Sequence, residues 1–377
     1  MSASFEIQII AILISVACAM SGTFLVLRKM SMMTDSITHT ILFGIVVAYF
    51  ITKDLNSPFL IVGAALVGVF TVWLTETVIK TKLVSEDSAI GLVFPLLFSL
   101  AIILVTKYAD SVHLDVDSVL LGELAFAPFD RMKVFGVDIG ATGMWLGIVL
   151  LIVNLAFVIL LFRVLKLSTF DTLLATTLGF SPVIIHYSLM TVVSITAVGA
   201  FQTAGSILVI AFMIVPPATA YLLSNDLKII IILSGAIGGI SSILGYQLAR
   251  FMDASIAGAI AVVAGIIFAI VVVVAPERGV LSVVMRRKRL KEEFKDLTLM
   301  FHLRNHHGAE NEKAENHITT IKDHLHWDDK LIEKTLYKLG DEGKIYVADN
   351  IVRLTDVGLK QVEEAAQSFF SKSYHQL

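Results

Sequence analysis

The second apolar stretch of the chain opens Met33-Thr-Asp-Ser-Ile-Thr-His-Thr40, so Asp35 and His39 stand four residues apart. On a helix that spacing puts both side chains on one face. Ionisable groups within a membrane span are costly, and they face a cavity, a partner or a substrate path. A carboxylate and an imidazole side by side offer one oxygen and one nitrogen ligand, a combination suited to manganese or zinc. The same residues also allow a plainer reading. Thr34 or Asp35 could cap free backbone N–H groups at a helix start, with His39 snorkelling toward water. Spacing alone leaves both readings open.

The elements that must position this pair follow from composition. Hydrophobic residues make up 56% of the 377 positions and charged residues 16%, below the roughly 25% of soluble domains. A spanning helix needs about 20 apolar residues. The pattern predicts spans near 5–27, 35–51, 58–79, 88–106, 143–165, 182–200, 203–223, 227–250 and 254–275. The N-terminal run lacks a basic leader, carries Glu6 and is long enough to cross, so it is expected to be a retained first helix rather than a cleaved signal. Cys18 is the single cysteine, which excludes an intrachain disulfide or a thiolate cluster. Arg28/Lys29, Lys80/Lys82, Arg163/Lys166, Lys228, Arg278 and Arg286–Arg289 share one side if the N-terminus is outside, and this bias predicts a cytoplasmic tail. Two places do not read as ordinary spans. The acidic segment from Tyr108 to Thr142 has an apolar part, Val116 to Phe126, suited to a short helix at the outer surface. The Gly199–Gly205 connection is short and apolar enough for a tight re-entrant turn.

Charge marks the domain boundary. Up to Met285 there are 13 Lys/Arg and 16 Asp/Glu, whereas the 92 residues from Arg286 carry 16 of each. The expected organisation is a membrane domain over 1–285, a charged helix and His-containing linker over 286–317, and a small domain over 318–377.

The run Arg28-Lys-Met-Ser-Met-Met-Thr-Asp-Ser-Ile-Thr-His-Thr-Ile-Leu-Phe-Gly44 resembles the signature of the ATP-binding-cassette permeases that import manganese, zinc or iron. Phe170-Asp-Thr-Leu-Leu-Ala-Thr-Thr-Leu-Gly179 resembles that family's cytoplasmic loop, with Asp171, Ala175 and Gly179 each four apart. Ala204-Gly-Ser-Ile-Leu-Val-Ile-Ala-Phe-Met-Ile-Val-Pro-Pro-Ala-Thr-Ala220 and Glu86-Asp-Ser-Ala-Ile-Gly91 match further stretches. Together they cover most of Met1 to Pro276 in order. The chain departs from the pattern at Thr34 (commonly Gly), at Phe43 (frequently Pro), and in lacking Pro after Asp171 and Arg after Ala175. No candidate ligand is lost.

The resemblance implies an all-α polytopic fold of about nine spans, type II importer-like, in a bacterial inner membrane. It implies that Asp35 and His39 bind the transported ion, and that Asp171 to Gly179 form a short helix docking on an ATPase subunit. Asp171 could equally be a simple cap, and Gly179-Phe-Ser-Pro182 supplies a helix stop and a new start on local chemistry alone. Pro216 and Pro217 would kink the seventh span, or merely pack there. The chain has no G-x-x-x-x-G-K-[ST] loop, so ATP hydrolysis belongs to a separate subunit, and no His-Glu-x-x-His of a metalloprotease. The chain itself is therefore expected not to be an enzyme and to hold no permanent cofactor, only the transported Mn2+ or Zn2+. Family membership further implies two permease copies per transporter and an external metal-binding protein docking near Asp110, Asp115, Asp117 and Glu123.

The tail is expected to begin with a charged helix over 290–300 and a polar loop from His302 to His317. Helices over 318–325 and 328–342, a strand pair around 345–354 turning at Ala348-Asp-Asn350, and a helix from Asp356 follow. This order, with Leu354-Thr-Asp-Val-Gly358, resembles a winged helix-turn-helix of metal-dependent repressors, a small α+β domain. The balanced charge argues against DNA as a partner. A membrane-anchored metal-responsive regulator is the alternative reading of the whole chain, and nine spans are excessive for an anchor. Seven of the ten histidines lie here: His302, His306, His307, His317, His324, His326 and His375. They suit either a metal sensor or a solvated His-rich linker.

Overall fold

A computed structural model describes residues 2–54, 57, 59–108, 124–134 and 137–374. Among the described residues, nine helices are long and apolar enough to cross a membrane. They are α1 (Ala3–Leu27), α2 (Met32–Thr52), α3 (Phe59–Lys80), α4 (Glu86–Tyr108), α5 (Thr142–Phe170), α7 (Pro182–Ala204), α8 (Ser206–Leu223), α9 (Leu227–Met252) and α10 (Ile256–Val274). The short α6 (Thr172–Thr177) lies between α5 and α7. Helix starts follow local chemistry. The Asp226 side chain accepts the Lys228 N–H at the head of α9, and Ser181 with Pro182 opens α7.

The bundle is built around α1, which packs against α5, α7, α8 and α9. Ile10, Ile14, Phe24 and Leu25 of α1 are fully buried, together with Met33, Ile37 and Phe212. Lipid is as apolar as a leucine, so such helices gain most from close backbone approach and interhelical hydrogen bonds. Both are present. Thr23 bonds Ser234, Thr71 bonds Thr40, and Asn154 bonds Thr196, at 3.2, 2.9 and 2.7 Å.

The tightest approach joins α1 to α8. Pro217 lacks an N–H, so the Met213 carbonyl four residues earlier has no helical donor. That carbonyl faces Gly22 of α1, where a Cβ would sit 2.1 Å from the Met213 oxygen. The exposed acceptor is thus covered by the one residue type whose backbone can come this near. Helix α8 runs unbroken through Pro216 and Pro217, both buried.

The Gly199–Gly205 segment is not a re-entrant turn. Residues 199–204 complete α7, and the helix breaks at Gly205 alone, with φ 78° and ψ 163°. A single glycine suffices because this backbone region is almost closed to other residues.

At one end of the bundle, β1 (Arg131–Val134) and β2 (Val137–Ala141) form an antiparallel hairpin. Arg131 bonds Asp138 at 2.8 Å and Glu6 of α1 at 3.2 Å, which pins the start of α1 to the hairpin. Asp138 first, then Glu6, hold the Arg131 guanidinium above its ordinary range. No strand was expected here. Of the anticipated outer helix over 116–126, residues 116–123 lie outside the described residues, and Leu124–Phe126 form a 3-10 turn. Asp110, Asp115, Asp117 and Glu123 lie outside the described residues.

The chain divides into two compact units, Met1–Val280 and Leu281–Leu377, rather than at the charge step near Met285. The second unit opens with α11 (Val280–Asn305), followed by α12 (Glu312–Glu315), α13 (Ile318–Leu325), α14 (Asp329–Asp341), the β3–β4 hairpin (Ile345–Ala348, Ile351–Leu354) and α15 (Asp356–Tyr374). Leu299, Met300, Leu303, Ile321, Ile332 and Val352 form its core. This core explains why α11 outruns the expected helix over 290–300. Leu303 is buried with Leu299 and Met300, so residues 302–305 stay helical, and the expected loop from His302 shrinks and includes the turn of α12. Asp349 and Asn350 both have positive φ, as a two-residue hairpin turn requires.

Gly22→Ala is expected to push α1 off α8 and destabilise the bundle by roughly 1–3 kcal/mol. Thermal unfolding of the purified chain in detergent checks this, with Gly265→Ala, where no atom crowds the added methyl, as the neutral control.

Candidate functional site: an Asp–His pair in a helix bundle

Asp35 lies in the first turn of α2, one turn before His39. Its carboxylate Oδ1 stands 3.3 Å from His39 Nε2, and each side chain is about 31% exposed. The capping alternative is not what the chain does. Ser31 starts the helix without a side-chain bond, and the Thr34 hydroxyl is buried with no hydrogen-bond partner. The imidazole is held from α4. His39 stacks on Phe94 at 5.4 Å between centroids and meets the edge of Phe98 at 6.1 Å. The Thr71–Thr40 bond locks the same stretch of α2 against α3. One oxygen and one nitrogen donor are therefore presented together on a fixed helix face. Among the described residues, no three His, Cys, Asp or Glu side chains already surround a common point.

The four residues before α2 lead back to the end of α1 and its C-cap, Arg28. Arg28 donates from Nε to Thr169 Oγ1 at 3.1 Å and from a terminal nitrogen to Ser168 Oγ at 2.8 Å. Burial lowers its pKa, although a guanidinium stays charged. This fork ties the end of α1 to the end of α5, immediately before α6. Asp171 caps α6 by accepting the Leu174 N–H at 2.8 Å. Ala175 is buried beneath the helix. Gly179, at φ 85°, closes it: its N–H reaches the Thr176 carbonyl and the Phe180 N–H reaches the Ala175 carbonyl. Around this cap-to-stop unit Phe170, Leu173, Leu174, Leu178 and Val183 are all exposed.

The sequence model of the ABC 3 transport family matches residues 3–275, the whole nine-helix unit. The chain belongs to that family. It is 44% identical over 326 residues to the zinc transport system membrane protein TroD of Treponema pallidum, covering 86% of this chain and 88% of the relative. It is 40% identical over 292 residues to the manganese transport system membrane protein MntD of Bacillus subtilis, covering 77% and 99%. The fold is similar to that of PsaBC from Streptococcus pneumoniae in complex with Fab, with a TM-score of 0.61 and 27% identity over 74% of this chain and 94% of that one.

In this ABC 3 transport family chain the structure also assembles a group that sequence reading passed over. Glu76 of α3 meets His186 Nε2 at 2.5 Å through Oε1 and accepts from the Tyr187 hydroxyl at 2.6 Å through Oε2. A cavity of about 700 Å³ opens beside them, lined also by Arg28, Lys80, Glu86 and Thr172; Asp35 and His39 do not border it. The signal was available, because Glu76 and His186 are ionisable residues inside apolar stretches. Phe94 and Phe98 were missed for the opposite reason, since aromatics in an apolar helix carry no signal.

The six described tail histidines separate into two sets. His302, His306 and His324 come together, with ring centroids 5.0 Å and 5.7 Å from that of His302. His307 is exposed, His317 bonds Thr319, and His326 caps α13 at φ 51°. Burial first, with the neighbouring His306 and His324, holds the His302 imidazole below its ordinary pKa against the opposing bond to the Glu315 carbonyl. His375 lies outside the described residues.

Glu76→Leu leaves the Tyr187 hydroxyl and His186 nitrogen without their acceptor. It should lower stability by about 1–3 kcal/mol. A Glu76→Leu, Tyr187→Phe double-mutant cycle read by thermal unfolding should show a coupling of at least ~0.5 kcal/mol.

Proposed function

We propose that the chain is the membrane-spanning permease of an ATP-driven importer of divalent metal ions, with the ion passing the Asp35–His39 pair. The observation that carries the reading is this pair itself: a carboxylate and an imidazole 3.3 Å apart on one face of α2, inside the family-matched unit. In a membrane helix such a pair is too costly to be incidental. Two protein ligands leave room for water or for donors from a second permease copy, and a transported ion must be held loosely enough to leave.

The importer reading assigns energy to a separate ATPase subunit. The exposed apolar surface around α6 suits its docking, with Asp171, Ala175 and Gly179 shaping the docking helix. The Arg28 fork then gives ATPase closure a direct hold on the end of α1, five residues from Ser31-Met32 and the start of α2. An extracytoplasmic metal-binding protein and a second copy of the permease complete the assembly, and the C-terminal unit faces the cytoplasm by the Lys/Arg bias.

Manganese is the first cargo, with zinc or iron next. An oxygen–nitrogen pair without cysteine binds either ion, and zinc binds such sites more tightly. Relatives named for zinc transport and for manganese transport support a divalent metal cargo.

Labelled manganese uptake in cells producing the permease with its ATPase and binding protein tests the reading. Asp35→Ala and His39→Ala should each reduce uptake at least tenfold at equal membrane levels, and wild-type uptake unaffected by equimolar zinc would make manganese the cargo. Undiminished uptake in both variants would remove the pair from the ion path.

A further inference from the structure

The C-terminal unit holds a second constellation of metal-ligating groups, and it involves a residue the histidine pattern does not reveal. His302 lies in the last turn of α11, His306 stands in the turn just after its end, and His324 projects from α13. Between them comes Glu315, the last residue of α12. Its Oε2 is buried, has no hydrogen-bond partner and stands 3.3 Å from His324 Nδ1. His302 Nε2 lies 3.2 Å from the Glu315 carbonyl oxygen, so the four residues are neighbours in space.

The spacing can be tested against coordination chemistry. Zinc–nitrogen bonds are about 2.0–2.1 Å, and a ring nitrogen lies about 1.1 Å from its centroid; at tetrahedral angles two imidazoles on one ion then have centroids about 5 Å apart. The observed 5.0 and 5.7 Å fall at that separation. The ring nitrogens do not yet point to a common centre. The backbones of His302 and His324 are held, however, by the buried residues Leu299, Leu303 and Ile321 of α11 and α13.

We infer that His302, His306, His324 and Glu315 form a binding site for a tetrahedral divalent first-row metal of the zinc type. Three neutral imidazoles and one carboxylate satisfy such an ion and neutralise part of its charge. The ligands come from α11 and the turn after it, from α12 and from α13, so occupancy ties these segments together at one point. The unit thereby acquires a metal-free and a metal-clamped state. This site is independent of the Asp35–His39 pair and stands or falls apart from it.

The test uses the full-length chain in detergent with Asp35→Ala and His39→Ala in place, so that the transport pair contributes nothing. Zn2+ titration against a chelating dye should show one ion per chain, and Co2+ should give the visible absorption of four-coordinate cobalt. Adding His302→Ala, His306→Ala and His324→Ala should abolish both signals, and Glu315→Gln alone should weaken zinc binding at least tenfold. His307→Ala, His317→Ala and His326→Ala together should change neither. His324→Cys covers the case where the triple variant misfolds: it should add a cobalt–thiolate charge-transfer band in the near ultraviolet, which no structural role would produce. Unchanged zinc and cobalt signals in the first triple variant, their loss in the second, or no thiolate band in His324→Cys would overturn the assignment.

Discussion

Inside a bilayer an apolar side chain gains little by leaving lipid for a neighbouring helix, so this bundle depends on how closely its backbones can meet. The contact between Gly22 and the Met213 carbonyl shows the constraint at its strictest. Pro217 frees an acceptor that the hydrocarbon region cannot satisfy with water, and α1 must come near enough to cover it. Helix α1 is thereby fixed at the centre, and the bonds Thr23–Ser234 and Asn154–Thr196 are of the same kind, polar groups paired across helices because no solvent is present to pair them. The remaining helices are arranged about this axis.

The Asp35–His39 pair inherits its position from that arrangement. Helix α2 follows α1 after a short turn, so the end of α1 sets where α2 begins. Phe94 and Phe98 of α4 then leave the imidazole one orientation, and Thr71 of α3 holds the helix register. The end of α1 is held in turn by Arg28 on Ser168 and Thr169, one step from α6. The permease reading needs a mechanical route from an ATPase to the ion, and this chain of contacts provides a short one within a single subunit.

The nine spans were legible because they rest on bulk composition. Length and hydropathy decide spans regardless of detail, and the apolar runs are unambiguous. The Asp35–His39 face was legible from spacing alone, and the Asp171 cap and Gly179 stop followed from local backbone chemistry. What could not be read was decided by partners distant in sequence. Glu76 and His186 are 110 positions apart, and only packing of α3 on α7 makes them a pair. The hairpin at Arg131–Ala141 depends on Glu6 for its anchor. Gly205 was misread as part of a turn because an apolar break between two spans looks the same whether it occupies seven residues or one. In the tail, helix α11 extended past its expected end because Leu303 is needed in a core whose other members lie up to 59 residues away, and the same extension carries His302, whose ring meets the Glu315 carbonyl.

In the proposed importer the transported ion passes between Asp35 and His39. The most direct measurement is anomalous scattering at the manganese edge from crystals of the assembled transporter soaked in manganese. A peak within about 2.0–2.5 Å of an Asp35 carboxylate oxygen and of His39 Nε2 is the predicted result. A manganese peak elsewhere in the nine-helix unit, with none at this pair, would contradict the account.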